Sequence, residues 1–409
     1  MSKIASLDNI ALFFLAVLIA IGGVFSYKLM SILMPVITLI LLWRQRDIKN
    51  LSLLLSPPLV FLFLLLIWGG LSVLWAEHPQ TALAIFVKMS LTFTFSLVLI
   101  SALMKASPDT LSKVYSLLKI AGFILIFFII LQNIADDLKI KTFVKYKDVY
   151  YMMKPSGSIL GLGAFISCGL LWVYNSKILS VATFVLLVLL IYLTRCQTAF
   201  FGVLFATLVF GLSYAIPFWS TRIALFLSYT FLILSPLIYL YVFPLSTMVQ
   251  LKWIIQNGSL FHRFLGWEFL SEKFLEHPLL GWGLGSTPYL PLGSDLAQGY
   301  QNVIHPHNTA IQAYVELGLV GGVLFGLFFA SCFWLVEKHI KDRFSVAVCN
   351  ATLVFGFIQA EVTHSLWHNH WVSWVALIAG LMIIFLKARE AQLHGEVYHS
   401  TQGRALQRG

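Results

Sequence analysis

Charged residues are scarce in this chain, and cysteine is rarer still. Asp, Glu, Lys and Arg make up 11% of the 409 residues, against about 25% in ordinary soluble domains. The four cysteines form no Cys-x-x-Cys pair, so neither a cysteine-based metal site nor a disulfide framework is indicated. What the chain has instead is 59% hydrophobic residues and a mean hydropathy of +0.87. This balance predicts a protein that crosses a membrane many times, with no nucleic-acid partner.

Long apolar runs give the fold class. A helix needs about 20 apolar residues to cross the hydrocarbon core of a bilayer. Runs near this length occur about twelve times, which predicts an all-α integral membrane protein with about twelve transmembrane helices. The predicted spans are 9–26, 29–43, 58–75, 82–103, 114–132, 156–174, 178–194, 197–215, 223–243, 309–335, 345–363 and 369–386.

One connection is much longer than the others. The spans divide the chain into about nine N-terminal helices (1–243), a large loop (244–308), about three C-terminal helices (309–386) and a tail (387–409). Lys and Arg are enriched in cytoplasmic loops, and their distribution favours cytoplasmic termini and an outer position for the large loop. Long loops with structure of their own usually carry function.

The large loop contains a predicted amphipathic helix. Its apolar residues recur at steps of three and four, which makes one stripe along a helix. Residues 257–259 are a plausible start, and His277-Pro278 a plausible stop. Two arrangements are open: the helix lies in the plane of the lipid headgroups, or it packs against the membrane helices. The stripe consists of Leu260, Phe264, Trp267, Leu270 and Phe274.

Several cationic and titratable residues fall on the same predicted outer side. An ionised side chain at the bilayer centre costs about 2.5–3.5 kcal/mol, so such a residue needs a partner or a function unless it reaches the surface. Each residue alone has a structural explanation. Together, they suit an anionic substrate carried on a lipid. The group consists of Lys88, Arg195, Arg263, His305 and His307.

Two stretches resemble the signature of the O-antigen ligase and polymerase superfamily of bacterial inner membranes. The first is HRFLGWEFLSEKFLEHPLLGWGLG (262–285), and the second is HPHNTAIQAYVELGLVGGVLFGLFF, from residue 305 on. The resemblance lies in Arg263, Trp267, the 278–285 turn, His307-Asn308 and Glu316-Leu-Gly. One departure concerns a Ser/Thr-Arg-x-Ala pattern of the family. If Thr-Ala of TRCQTA is aligned to this pattern, Gln197 occupies the arginine position and Arg195 lies two residues earlier, about 200° away on a helix. Arg195 could still reach the site if the chain is not yet helical at this point.

The resemblance implies a glycosyltransferase, most like an O-antigen ligase. Such enzymes take a glycan from undecaprenyl diphosphate and transfer it to the lipid A-core oligosaccharide, by inversion and without a metal ion. O-antigen polymerases and protein O-oligosaccharyltransferases use the same donor and remain alternatives. The resemblance further implies the bacterial inner membrane, a periplasmic active site and no cofactor. We expect a monomer or a weak oligomer.

The chemistry of this reaction suggests roles for individual residues. Guanidinium groups bind phosphate oxygens in pairs and can replace a metal ion. A neutral histidine can accept the proton of an acceptor hydroxyl near neutral pH. We therefore predict Arg263 and His307 as catalytic residues. Substrate-binding roles are predicted for Lys88, Arg195, His305, Asn308 and Trp267, and Glu316 is expected to be a structural partner within the bundle.

Two alternatives of other classes stay open at this point. The histidines of THSLWHNHW (363–371) and HPHN (305–308) could hold zinc or copper, because His-x-His spacing is compatible with ligation. Histidines beside tryptophan at a membrane surface are also simple interfacial anchors, and no metal site is predicted. A transporter is the other alternative, although such proteins usually show repeated halves, and we find no repeat.

Overall fold

All regular elements in the described part of the chain are helices, as predicted. The computed structural model describes residues 32, 34–36, 38–39, 55–105, 123, 126–127, 130, 146–174, 176–248, 250, 258–290 and 306–406. The long helices are α1 (Pro57–Leu71), α2 (Pro79–Lys105), α3 (Tyr146–Tyr174), α4 (Lys177–Leu193), α5 (Gln197–Ala215), α6 (Pro217–Leu237), α7 (Gly258–Glu276), α8 (Thr309–His339), α9 (Arg343–Val362) and α10 (Asn369–Leu406).

Eight helices of the described residues are long and apolar enough to cross a membrane, and α4 is a shorter apolar helix. These nine coincide with nine of the predicted spans. The other three predicted spans, 9–26, 29–43 and 114–132, lie wholly or mostly outside the described residues. The total of twelve therefore stays a prediction.

Helix starts follow local sequence. Proline at the first positions of α1 and α6 suits a helix start, because the amide that proline lacks would have no helical partner there. Ser176 caps α4 by accepting a hydrogen bond from the Leu179 amide. Asp342 caps α9 in the same way, at 2.9 Å from the Ser345 amide. Such caps satisfy amides that would otherwise be unpaired in an apolar medium.

Helices α3 and α9 form the centre of the bundle. Phe355 of α9 is fully buried, and it lies against glycines of two neighbouring helices. A Cβ atom at Gly161 of α3 would be 2.2 Å from the Phe355 ring, and one at Gly202 of α5 would be 3.3 Å from it. Small residues let membrane helices approach closely, so these glycines allow α3, α5 and α9 to pack around one aromatic ring.

Helix α8 is not continuous, which corrects the prediction of one unbroken span over 309–335. Gly318 has φ 66° and ψ −164°, so the helical path stops there and resumes at Leu319. This region of backbone space is accessible essentially to glycine alone. Residues 319–339 rise about 31 Å, close to the thickness of about 30 Å of a bilayer core. The first piece, 309–317, stands at the end of the bundle where α7 lies.

The 278–285 turn of the large loop fills the break in α8. Pro278 accepts a hydrogen bond from the Leu319 amide at 2.8 Å, and Gly283 donates to the Glu316 carbonyl at 2.8 Å. The backbone contact is so close that a Cβ atom at Gly318 would be 2.2 Å from the Leu279 carbonyl oxygen. Backbone groups freed by a broken helix must find partners within the protein, and this turn supplies them.

The amphipathic helix α7 packs against the bundle, so the second of its two predicted arrangements is the observed one. Leu270 is fully buried, and Phe274 stacks edge-to-face on Tyr314 with ring centroids 5.1 Å apart. Helix α10 runs on to Leu406, beyond the predicted membrane span that ends at 386, because residues 387–394 are mostly good helix formers.

Candidate functional site

Four segments meet at one end of the bundle. They are the 194–198 turn between α4 and α5, the start of α7, residues 306–308 before α8, and the 363–368 connection between α9 and α10. Side-chain hydrogen bonds join them: Trp267 to the Pro306 carbonyl at 2.7 Å, and Thr363 to Thr198 at 3.2 Å between hydroxyls. The fold therefore brings together residues that are far apart in sequence.

His307 has an unusual backbone and a defined ring orientation. Its φ is 52°, a conformation that residues other than glycine rarely adopt and that often marks a functional position. Its Nδ1 atom lies 3.0 Å from the carbonyl oxygen of Thr363. A carbonyl oxygen only accepts, so Nδ1 carries the proton, and in the neutral ring the lone pair is on Nε2.

The protonation of His307 is biased towards the neutral form. Burial lowers the pKa of His307 below its ordinary value of 6.5, the Thr363 hydrogen bond raises it, and the positive charge of Arg263 lowers it again. The net shift is downward. A neutral imidazole with its lone pair on Nε2 can accept a proton near neutral pH.

Arg263 lies on the first turns of α7, close to both His307 and Cys196. Burial lowers the pKa of Arg263 below its ordinary value of 12.5, and Cys196 opposes this shift. An arginine remains charged despite such a shift. In the described part of the chain, no carboxylate lies within ion-pair distance of Arg263. The guanidinium is therefore available for an anion.

Trp267 and Asn308 hold the segment around His307. Trp267 is 5% exposed, donates to Pro306 and packs its ring 4.8 Å from that of Tyr239. Asn308 is fully buried and caps α8 by accepting a hydrogen bond from the Ile311 amide at 2.8 Å. Its amide nitrogen donates to the Tyr239 hydroxyl at 3.1 Å. Both side chains thus fix the backbone on either side of His307.

Arg195 lies in the turn next to Cys196, and its side chain is exposed. Its φ is 54°. Among the described residues other than glycine, Arg195 and His307 are the two that have a positive φ. Gly157 of α3 supports this turn, since a Cβ atom there would be 2.4 Å from the Thr194 hydroxyl. The turn that carries Arg195 lies beside Arg263, since Cys196 acts electrostatically on that arginine. Gln197 is also exposed.

One predicted residue, Lys88, lies apart from this group. Lys88 is exposed and lines a separate cavity of about 570 Å³ between α2 and α10, with Gln80 and Asn369 in its wall. Arg263 and His307 do not line that cavity. His305 lies outside the described residues, so its predicted place beside His307 stays a prediction.

Glu316 anchors the turn that fills the α8 break. Its carboxylate accepts hydrogen bonds from the Gly285 amide and the Thr287 hydroxyl, each at 2.6 Å, and from Gln312 at 3.0 Å. The indole of Trp367 donates to it as well. This fully buried residue is the structural partner that we predicted, with four donors on one carboxylate.

Sequence reasoning missed Glu361, Thr363 and Tyr239. Glu361 is 3% exposed, lies near the Ala310 amide in the first turn of α8 and acts electrostatically on Tyr239. An acidic residue at the end of an apolar run is a signal that could have found it. Thr363 contributes only its backbone carbonyl to His307, and any residue could do so.

Three histidines near the site could hold a metal ion. His364, His368 and His370 offer ring nitrogens that all lie within 4.8 Å of one another. They belong to the THSLWHNHW stretch, whereas the HPHN stretch contributes none in the described residues.

The chain is similar to known proteins over the region that carries the site. The sequence model described as O-antigen ligase matches residues 182–326, which include Arg195, Arg263, His307 and the break in α8.

Proteins named "Putative polysaccharide ligase" from three Rickettsia species are similar over more of the chain. That of Rickettsia conorii is 24% identical over 332 residues, with 77% of each chain covered. That of Rickettsia prowazekii is 22% identical over 331 residues, with 77% of this chain and 78% of the relative covered. That of Rickettsia felis is 24% identical over 351 residues, with 82% of this chain and 83% of the relative covered. Together with the motif residues described above, these matches support the resemblance of the chain to the O-antigen ligase superfamily.

Proposed function

We propose that this protein is an O-antigen ligase that transfers a glycan from undecaprenyl diphosphate to the lipid A-core oligosaccharide. The observation that carries the proposal is the pairing of Arg263 with His307. A cation with no carboxylate partner among the described residues lies close enough to a histidine to lower the pKa of that ring. An anion-binding group and a neutral base are the two groups that this reaction needs.

The proposed reaction is a single displacement. The acceptor hydroxyl oxygen attacks the anomeric carbon of the donor sugar while the bond from that carbon to the diphosphate oxygen breaks. The hydroxyl proton passes to Nε2 of His307, and the electron pair of the broken bond leaves with undecaprenyl diphosphate. Attack opposite the leaving group inverts the anomeric configuration. General base assistance of this kind typically contributes about 10²–10⁴-fold to the rate.

Arg263 would bind the diphosphate and offset the negative charge that grows on it. The planar guanidinium can bind two phosphate oxygens at once, and charge stabilisation is stronger in a site with little water. Arg195, on the adjacent turn, would assist from an exposed position. Lys88 lies farther along α2, and we propose that it contacts the donor at its separate cavity. His305, Asn308 and Trp267 would shape the acceptor side, the last two by holding the segment around His307.

The charge distribution of the bundle favours a periplasmic site in the inner membrane. Cytoplasmic loops of bacterial membrane proteins carry an excess of Lys and Arg. Among the described residues, the bundle end opposite His307 has such an excess, whereas fewer cations lie at the site end. The cations at the opposite end are Lys177, Arg222, Lys338, Lys341, Arg343, Lys387 and Arg389.

The glycolipids of a strain that lacks the gene test this function directly. We expect a core without O-antigen, together with polymer that accumulates on the carrier lipid. Wild-type protein should restore the normal profile, and His307→Ala should not. A core that carries a single repeat unit would indicate a polymerase, and an unchanged lipopolysaccharide with loss of protein glycans would indicate a protein-modifying enzyme.

Transfer is proposed to proceed without a metal ion. Purified protein with defined donor and acceptor should therefore retain its rate in excess chelator. A loss that zinc restores even in the double variant His368→Ala/His370→Ala would contradict this part of the proposal, because a metal ion outside the three-histidine cluster would then take part in the reaction.

A further inference from the structure

We infer that His364, His368 and His370 form a binding site for a divalent transition-metal ion, with Zn²⁺ as the best fit. This inference goes beyond the proposed function, because the site lies outside the group that would touch donor or acceptor. It rests on the position of three imidazoles, on the frame that holds them and on the chemistry of the ligand set.

The three rings converge although they belong to different structural contexts. His364 follows the end of α9, His368 accepts a hydrogen bond from the Val372 amide at the start of α10, and His370 is the second residue of α10. Their ligand nitrogens lie within 4.8 Å of one another. Zn–N bonds of about 2.0–2.1 Å in a tetrahedron place nitrogens about 3.4 Å apart. Small rotations of the two partly exposed rings, His368 and His370, would close this gap.

The ring of His364 is already fixed. It is 7% exposed and stacks on Trp371, with centroids 3.8 Å apart and planes 11° from parallel. Its backbone carbonyl accepts a hydrogen bond from the Thr309 hydroxyl at 3.2 Å. A ligand whose rotamer is locked by packing is the kind of first ligand that a metal site requires.

The connection before α10, which carries His364 and His368, is tied to α8. Gln312 accepts from the Ser365 hydroxyl and from the Leu366 amide, both at 2.9 Å. Trp367 donates to Glu316. This short segment is therefore held at several points, and little ordering is needed when an ion binds.

The ligand set favours particular metals. Three imidazoles suit Zn²⁺, Cu²⁺ and Ni²⁺, whereas Mg²⁺ and Ca²⁺ prefer oxygen ligands. Because the three ligands are neutral, the bound ion would keep its full charge, and one tetrahedral position would be open to water. Bound there, the ion would join the end of α9 to the start of α10, one residue from the Thr363 carbonyl that orients His307.

Metal binding to purified protein tests the inference. The protein is prepared with an affinity tag that contains no histidine, stripped with chelator, placed in lipid nanodiscs and titrated with Zn²⁺. We expect one tightly bound zinc per chain and a higher melting temperature, because an ion that binds the folded state stabilises it. Co²⁺ should give the intense visible bands of a tetrahedral complex.

Variants identify the ligands. His368→Ala and His370→Ala replace partly exposed rings, so they should fold, and each should weaken zinc binding at least about 10–100-fold. His394→Ala, which removes an exposed ring on α10, is the matched control and should bind like wild type. Equal zinc affinity in wild type and in the double variant His368→Ala/His370→Ala would overturn the inference, as would wild-type protein that binds no zinc. Neither result would depend on glycan transfer.

Discussion

The Nδ1 atom of His307 lies 3.0 Å from the carbonyl oxygen of Thr363. This contact links the loop before α8 to the end of α9 and determines which ring nitrogen carries the proton. Because Nδ1 must donate, the basic nitrogen of the neutral ring is Nε2. The position of one backbone carbonyl thus prepares His307 for the role of general base.

The pH dependence of transfer should report the protonation of His307. Its pKa is lowered by burial and by the charge of Arg263, and the neutral ring is the active form. The rate should therefore fall as the pH is lowered, and the midpoint of this acid limb should lie below the ordinary histidine value of 6.5. Arg263→Gln removes one cause of the lowered pKa, so the acid limb of its residual activity should move to higher pH.

Lys273→Gln is the matched control for this pH shift. Lys273 lies on the same helix and pairs with Glu276 at 2.7 Å, so its loss removes an equal charge without changing the surroundings of His307. Its pH profile should match that of wild type. Identical acid limbs in Arg263→Gln and wild type would show that Arg263 does not act on His307.

Arg263→Lys should weaken the use of the donor. The substitution keeps the charge but loses the planar fork that binds two phosphate oxygens. We expect a loss of one charge-assisted hydrogen bond, about 1.5–3 kcal/mol, or roughly 10–150-fold in kcat/KM for the donor. Arg222→Lys, which alters the Glu337 ion pair at the other end of the bundle, should leave the donor kinetics as they are. Equal donor kcat/KM in both variants would argue against diphosphate binding at Arg263.

Gly318→Ala should destabilise the protein. The backbone at Gly318 has φ 66° and ψ −164°, and a Cβ atom would lie 2.2 Å from the Leu279 carbonyl oxygen. Strain in this region costs about 1–3 kcal/mol even without the clash. Gly211→Ala, on a helix with nothing within 4 Å of the added Cβ, should be neutral or slightly stabilising. Melting temperatures in nanodiscs compare the two, and equal values would mean that the break in α8 is not required.

Glu316→Ala should also lower the melting temperature. The substitution leaves up to four buried donors without their acceptor, and each unsatisfied donor costs about 1–3 kcal/mol. Gly285 and Thr287 would lose the carboxylate that holds the loop turn to α8. Glu390→Ala removes an exposed carboxylate and should change stability little. A Glu316→Ala protein as stable as this control would contradict the anchoring role.

The described helices could largely be predicted because membrane spans have a strong sequence signal. Length and apolarity alone located nine helices, and the stripe of Trp267, Leu270 and Phe274 identified α7. The grouping of Arg263 with His307 followed from their common position on the predicted outer side.

Other features depend on contacts that are distant in sequence. The Glu-Leu-Gly stretch at 316–318 resembles ordinary helix, and the break becomes visible only with the 278–285 turn inserted in it. The Thr363 carbonyl has no sequence signal, since every residue carries one. Lys88 was grouped with Arg263 because both are predicted to lie on one side of the membrane, yet a shared side does not bring two helices together.

Transfer by purified protein in proteoliposomes tests the central role of His307 most directly, with defined lipid-linked donor and core acceptor. His307→Ala should insert normally and lower the transfer rate by about 10²–10⁴-fold. His277→Ala, which removes an exposed ring from the same end of the bundle, should retain the wild-type rate. A His307→Ala protein that transfers glycan at the wild-type rate would contradict the proposed base.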